Sequence, residues 1–162
     1  MGGFSGTHTN RVDAKGRVSI PAPFRAILRA PATEGACAAM LRPSHNFPCI
    51  EAWPHEAFKA MAAAIDQLPT FSLEQEDLAF AVLADAHPVE SDKEGRIVIP
   101  ERLCELGGLP TQIVSADIVF VGVGKIFQIW DPKALELRRA EVRDSLRARR
   151  IALPAAAPVA VG

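Results

Sequence analysis

Two short stretches hold the side chains best placed to do chemistry, Asp13-Ala-Lys-Gly-Arg17 and Asp92-Lys-Glu-Gly-Arg96. Each sets a carboxylate and a guanidinium on either side of a glycine. An aspartate pair could serve as general acid and base, and an arginine could clamp an anion. The commoner use of Asp-x-x-Gly is structural. The carboxylate accepts backbone N–H groups and locks a tight turn, while Gly16 or Gly95 takes the positive φ that other residues resist. Asp13, Gly16, Asp92 and Gly95 are therefore assigned to the scaffold. Arg17 and Arg96 either answer those carboxylates or reach outward to an anion, and Lys15 favours the second reading at the first turn.

The remaining candidates are weaker. His8, His45, His55 and His87 are scattered, and only His45 with Cys49, on a proline-containing loop, has ligand-like spacing, so no metal site is expected. Cys37, Cys49 and Cys104 are odd in number and form no CxxC pair, which suits small reduced core residues. Gly122-Val-Gly124 lacks the third glycine and following helix of a phosphate cradle and reads as a hairpin turn. GxSxG, HExxH and P-loop patterns do not occur. No catalytic site, cofactor or small-molecule ligand is expected. Trp53 and Trp130 could stack on bases, but their matched places at strand ends make them core anchors.

The elements that must carry the two turns come from an internal repeat. Val12-Asp-Ala-Lys-Gly-Arg-Val-Ser-Ile-Pro21 returns as Ser91-Asp-Lys-Glu-Gly-Arg-Ile-Val-Ile-Pro100, about 80 residues later. After each turn a β-branched strand is expected, stopped by Pro21 or Pro100, which then opens a short helix. Two further strands follow in each copy, about 36–42 with 48–53 and 117–122 with 126–130. Trp53 and Trp130 end the second strand of each pair, and helices are expected over 54–67 and 132–149. The stretch Leu73–Ala84 reads as a linking helix, with Leu73, Asp77, Phe80, Ala81 and Ala84 only partly on one stripe. From Ala152 onward the chain has no polar patterning and is expected to be a loose tail.

Of the 162 residues, 49% are apolar and 23% charged, a globular composition with no run long enough for a membrane span. The N-terminal residues have no leader pattern, so a cytoplasmic chain is expected. The net charge of −1 hides a strong segregation. Residues 1–33 hold Arg11, Lys15, Arg17, Arg25 and Arg29 against Asp13 alone, and residues 133–150 hold seven bases against three acids. From Asp66 to Asp92 there are seven acids and no Lys or Arg. Both basic ends would draw in a polyanion that the acidic middle repels. In the 133–149 helix, Leu135, Val142 and Leu146 form an apolar stripe, and Arg138, Arg139, Arg143, Arg147 and Arg149 are expected on a solvated basic face.

The paired Asp-x-x-x-Arg turns, the Val121-Gly-Val-Gly-Lys-Ile-Phe-Gln-Ile-Trp130 segment before the last helix and the overall length resemble the MraZ family of the AbrB-like swapped-hairpin superfamily. The resemblance implies an α+β fold of two tandem AbrB-like, β-rich modules paired as a pseudo-dimer. Its expected division is 1–68, a linking helix 69–85, 86–150 and a flexible tail 151–162. It also implies a nucleoid-associated transcription regulator that forms a homo-oligomeric ring and binds G-rich direct repeats in double-stranded promoter DNA upstream of division and cell-wall genes. The family's basic contacts carry over to Lys15, Arg17 and Arg96. Glu94 stands in the second turn where Lys15 stands in the first, and Lys93, one place earlier, is a substitute. The second module is thus expected to be the weaker reader.

Overall fold

The computed structural model describes residues 3–29, 36–110 and 112–157. In chain order the first half contains β1 (Thr7–Arg11), β2 (Arg17–Ser19), α1 (Ala22–Arg25), β3 (Ala38–Pro43), β4 (Ile50–Trp53), α2 (His55–Asp66) and α3 (Leu73–Leu83). The second contains β5 (His87–Glu90), β6 (Arg96–Val98), α4 (Glu101–Leu106), β7 (Asp117–Gly122), β8 (Phe127–Trp130) and α5 (Pro132–Arg149). The predicted hairpins and post-tryptophan helices lie within two residues of their expected bounds. Of the predicted tail, residues 151–157 are exposed and without regular secondary structure, and 158–162 lie outside the described residues.

Six strands form one antiparallel sheet in the order β1-β7-β8-β4-β3-β5, and β2 pairs with β6 in a separate two-stranded ribbon. The halves exchange strands. β1 of the first half pairs with β7 of the second, and β5 of the second pairs with β3 of the first. Sequence patterning does not predict β1 or β5. The first is Thr-His-Thr-Asn-Arg, with no apolar face, and the second carries Pro88, which only an edge strand tolerates.

One core joins both halves. Val18, Ile20, Phe24 and Leu28 from the first turn-strand-helix unit meet Ile97, Ile99 and Leu103 from the second, over Leu41, Ile50, Phe120, Phe127 and Ile129 of the large sheet. Val18 and Ile97 face each other across the ribbon and are 1% and 2% exposed. Burying side chains of this size stabilises the fold by about 1.5–3 kcal/mol each. Inward placement of Val18 and Ile97 forces their strand neighbours outward, because the side-chain period of a strand is two.

The other face of the large sheet is covered at its two ends. The α2–α3 pair packs through Phe58, Ile65 and Val82 on Met40 and Trp53, and α5 packs through Leu135 on Val119 and Trp130. Asp131 caps α5 by accepting the N–H groups of Lys133 and Ala134, with Pro132 as the first helical residue. Trp53 and Trp130 each donate an indole N–H to the residue two places back, Glu51 or Gln128. Trp130 is 1% exposed and Trp53 half-buried. Of the sequence stripe Leu73, Asp77, Phe80, Ala81 and Ala84 in α3, all but the half-buried Ala81 lie on the outward side. Leu73 and Phe80 are 77% and 75% exposed, whereas Leu78, Ala79 and Val82 pack toward α2.

Candidate nucleic-acid interface

Both turns have the backbone their residue types demand. In the first, the Asp13 carboxylate accepts the N–H groups of Lys15 (2.9 Å) and Arg17 (2.8 Å) on Oδ1, and Oδ2 accepts Nε–H of Arg17 at 2.9 Å. In the second, Asp92 accepts the N–H groups of Glu94 (3.0 Å) and Arg96 (2.9 Å), and Nε–H of Arg96 at 2.8 Å. Gly16 and Gly95 stand at φ +79° and +80°, where a Cβ is strained. The Arg17 N–H above all holds the Asp13 carboxyl below its ordinary value of 3.8, against a smaller opposing effect of burial. Asp92 is lowered in the same way, first by the Arg96 N–H. The Asp92 hydrogen bond in turn raises the Arg96 guanidinium, so it stays charged.

The ribbon brings the two arginines onto one surface. Arg17 lies opposite Val98 and Ser19 opposite Arg96, so these four side chains share the face turned away from the buried Val18 and Ile97. Because β2 and β6 are antiparallel and each turn precedes its strand, the turns lie at opposite ends of the ribbon. Val98 is 56% exposed beside Arg17.

The two sites then diverge. Among the described residues Arg17 spends only Nε, on Asp13, and its two terminal nitrogens make no protein hydrogen bond. Lys15 is exposed beside it. Arg96 spends Nε on Asp92 and Nη2 on the Glu94 carboxylate at 2.5 Å, which occupies half of the outward fork. Lys93 is exposed on the same turn.

Arg25, although it lies in the first half, packs on the second turn. From α1 it donates Nη1–H to the Glu94 carbonyl at 2.5 Å, and its stem packs where a Cβ on Gly95 would lie. Four residues after Pro100, the place corresponding to Arg25 holds Cys104. Nothing lies within 4 Å of a Cβ built on Gly16, and a cavity of about 460 Å³ opens there, bounded by Gly16, Val98, Pro100 and Cys104. The Cys104 thiol is buried, and desolvation pushes its pKa to about 11, so it stays neutral beside the turn. Desolvation likewise pushes buried Cys49 to about 12, while His45 bonds through Nδ1 to Arg42 at 2.9 Å.

On α5, Leu135 is buried, Val142 half-buried and Leu146 43% exposed, so the apolar stripe runs out beyond the sheet. Arg138 lies over the Phe47 ring at 3.9 Å. Among the described residues no helix is long and apolar enough to cross a membrane.

Two stretches of the chain, residues 4–81 and 82–155, match the family model described as "MraZ protein, putative antitoxin-like". The chain is 53% identical to the transcriptional regulator MraZ of Gluconacetobacter diazotrophicus, covering 96% of this chain and 94% of that relative. It is 48% identical to the protein of the same name from Gluconobacter oxydans, over 99% of this chain and 95% of the other. To the one from Xanthobacter autotrophicus it is 36% identical, over 94% and 92%. With the duplicated turn, the strand exchange and these matches along both halves, the chain belongs to the MraZ family.

Proposed function

We propose that this chain regulates transcription as a sequence-specific binder of double-stranded DNA, with Arg17 reading bases and Lys15 holding phosphate. The observation that carries the reading is the outward fork of Arg17, braced through Nε by Asp13 with both terminal nitrogens unspent among the described residues. A guanidinium held this way is shaped for O6 and N7 of guanine in the major groove, and the pre-ordered stem reduces the entropy lost on binding. Lys15, a mobile point charge, suits the backbone. Arg96, with Lys93 beside it, is a secondary contact because Glu94 competes for its fork.

The targets are G-rich direct repeats in promoter DNA upstream of division and cell-wall genes, and the chain acts at the nucleoid as a homo-oligomeric ring. A ring offers many copies of one turn to regularly spaced repeats, so single weak contacts add through effective concentration. We divide the chain functionally into reading halves 1–68 and 86–150, joined by 69–85, with 151–162 outside both.

Gel shifts with duplex from upstream of its own gene and with scrambled duplex, at low and moderate salt, test the reading. Arg17→Ala should lose specific binding by about 1–3 kcal/mol per guanine contact, roughly 5- to 150-fold, with little change on scrambled DNA. Lys15→Ala should weaken both duplexes and flatten the salt slope by about one unit per contact. Arg96→Ala should fall between Arg17→Ala and wild type. Equal loss on both duplexes for Arg17→Ala would reduce it to a phosphate contact, and wild-type binding by all three would remove the site.

A further inference from the structure

Among the described residues an apolar patch on the helix layer and an apolar groove between α5 and the sheet lie uncovered, at opposite ends and with opposite charge. The patch is the outward side of α3. Phe71, Leu73 and Phe80 are 84%, 77% and 75% exposed, and Glu74, Glu76 and Asp77 are exposed among them. Leu73, Asp77 and Phe80 follow the i, i+4, i+7 spacing of one helical face. Three large exposed apolar side chains this close together are more than a soluble surface scatters by chance. The groove, about 370 Å³, runs between α5 and strands β7 and β8. Its floor is Val121, Trp130 and Val142, and its rim carries Arg138, Arg139 and Arg143. Arg138 is engaged by Phe47 and Glu141, and Arg139 donates an Nη2–H to the Thr7 hydroxyl at 2.8 Å, but among the described residues neither Arg139 nor Arg143 forms an ion pair.

We infer that the groove of one copy receives the outward side of α3 from a second copy, with Phe80 and Leu73 on the apolar floor and Glu76 and Asp77 against Arg139 and Arg143. Charge complementarity selects this occupant. The groove offers arginines around an apolar slot, and the chain itself presents aromatic and aliphatic side chains flanked by carboxylates with no cation among them. Placement agrees, since α3 covers the β3 end of the sheet and α5 the β7 end, with β8 and β4 between. A contact joining opposite ends of the same molecule is head-to-tail. Each copy then uses both surfaces, and the series closes into a ring if the rotation between copies permits. This inference rests on the ring reading above and specifies its interface.

The test uses two full-length variants without DNA, each checked for a wild-type circular-dichroism spectrum and a cooperative melt. Arg139→Glu/Arg143→Glu breaks the groove, and Leu73→Ser/Phe80→Ser breaks the helix face. Light scattering should show wild type as a many-chain assembly and each variant alone as monomer. An equimolar mixture should give one-to-one pairs and nothing larger, because each variant keeps the half that the other lacks. Wild-type protein that is itself monomeric would overturn the ring reading and this interface with it. Assembled wild type together with unchanged mass for either variant would overturn the interface alone, leaving the groove to a small amphipathic anion. A mixture that stays monomeric would overturn the head-to-tail pairing.

Discussion

The turns at Asp13 and Asp92 share a backbone, a glycine at the same φ and hydrogen bonds that agree to about 0.1 Å, yet they present different surfaces. What they share is dictated by the first, fourth and fifth residues of the motif, which close the turn on itself. The two residues between are free to vary, and there Ala14-Lys15 became Lys93-Glu94. The third position decides whether the arginine faces outward with an open fork or is held by a second carboxylate. A duplicated site can in this way keep its architecture while one copy changes its electrostatics. Arg25 against Gly95 and Cys104 near Gly16 extend the difference beyond the turn itself.

The largest effect is expected when the chemistry of the second turn is built into the first. Lys15→Glu removes a cation, adds an anion and offers Arg17 the same carboxylate that Glu94 offers Arg96. Specific binding should fall at least as far as in Arg17→Ala, and scrambled duplex should be bound less well too. Retained operator binding in gel shifts would show that the Glu94 contact does not weaken Arg96.

The reverse exchange is made in the second turn. Glu94→Lys releases Nη2 of Arg96 and makes the second turn as basic as the first, so duplex affinity should rise, with the salt slope steeper by about one unit for each phosphate gained. An unchanged slope would mean that the second turn does not reach the duplex.

The smallest difference is expected from the shared scaffold. Asp13→Ala and Asp92→Ala should each lower the melting temperature by a similar few degrees, since each removes the same two backbone acceptor bonds and one arginine contact. Both carboxyls titrate below 3.8 in the folded protein. Their stabilising contribution is therefore complete above 3.8 and lost as pH falls through the lowered folded values. Melting followed from neutral pH into acid should show wild type losing stability below 3.8, with each alanine variant losing less there. A variant with the full acid loss would assign that loss to other carboxylates.

The turns were legible in the sequence because every group that makes them lies within five residues, and the tryptophan-ended hairpins because apolar residues fill both faces, Ile50, Phe120, Phe127 and Ile129 toward the shared core and Trp53, Val119 and Trp130 toward the helices. The rest is non-local. Arg25 lies 69 positions from the carbonyl it bonds, and no periodicity announces that contact. β1 is polar on both faces and becomes a strand only because β7 supplies its partner. In α3 the stripe was only partial, and the packed side is the other one, where Leu78 and Val82 meet α2 while Leu73 and Phe80 stay exposed.

The pairing of Thr7–Arg11 with Asp117–Gly122 also sets a clock on synthesis. The N-terminal strand leaves the ribosome more than a hundred residues ahead of its partner. At ~5–20 residues per second that interval is roughly 5–20 s, during which the nascent chain has an unpaired edge and an uncovered apolar face. Two ribosomes on one message bring such chains together in that same interval. A neighbour's second half carries the same β7 edge, so closure inside one chain has to be completed in competition with pairing between copies.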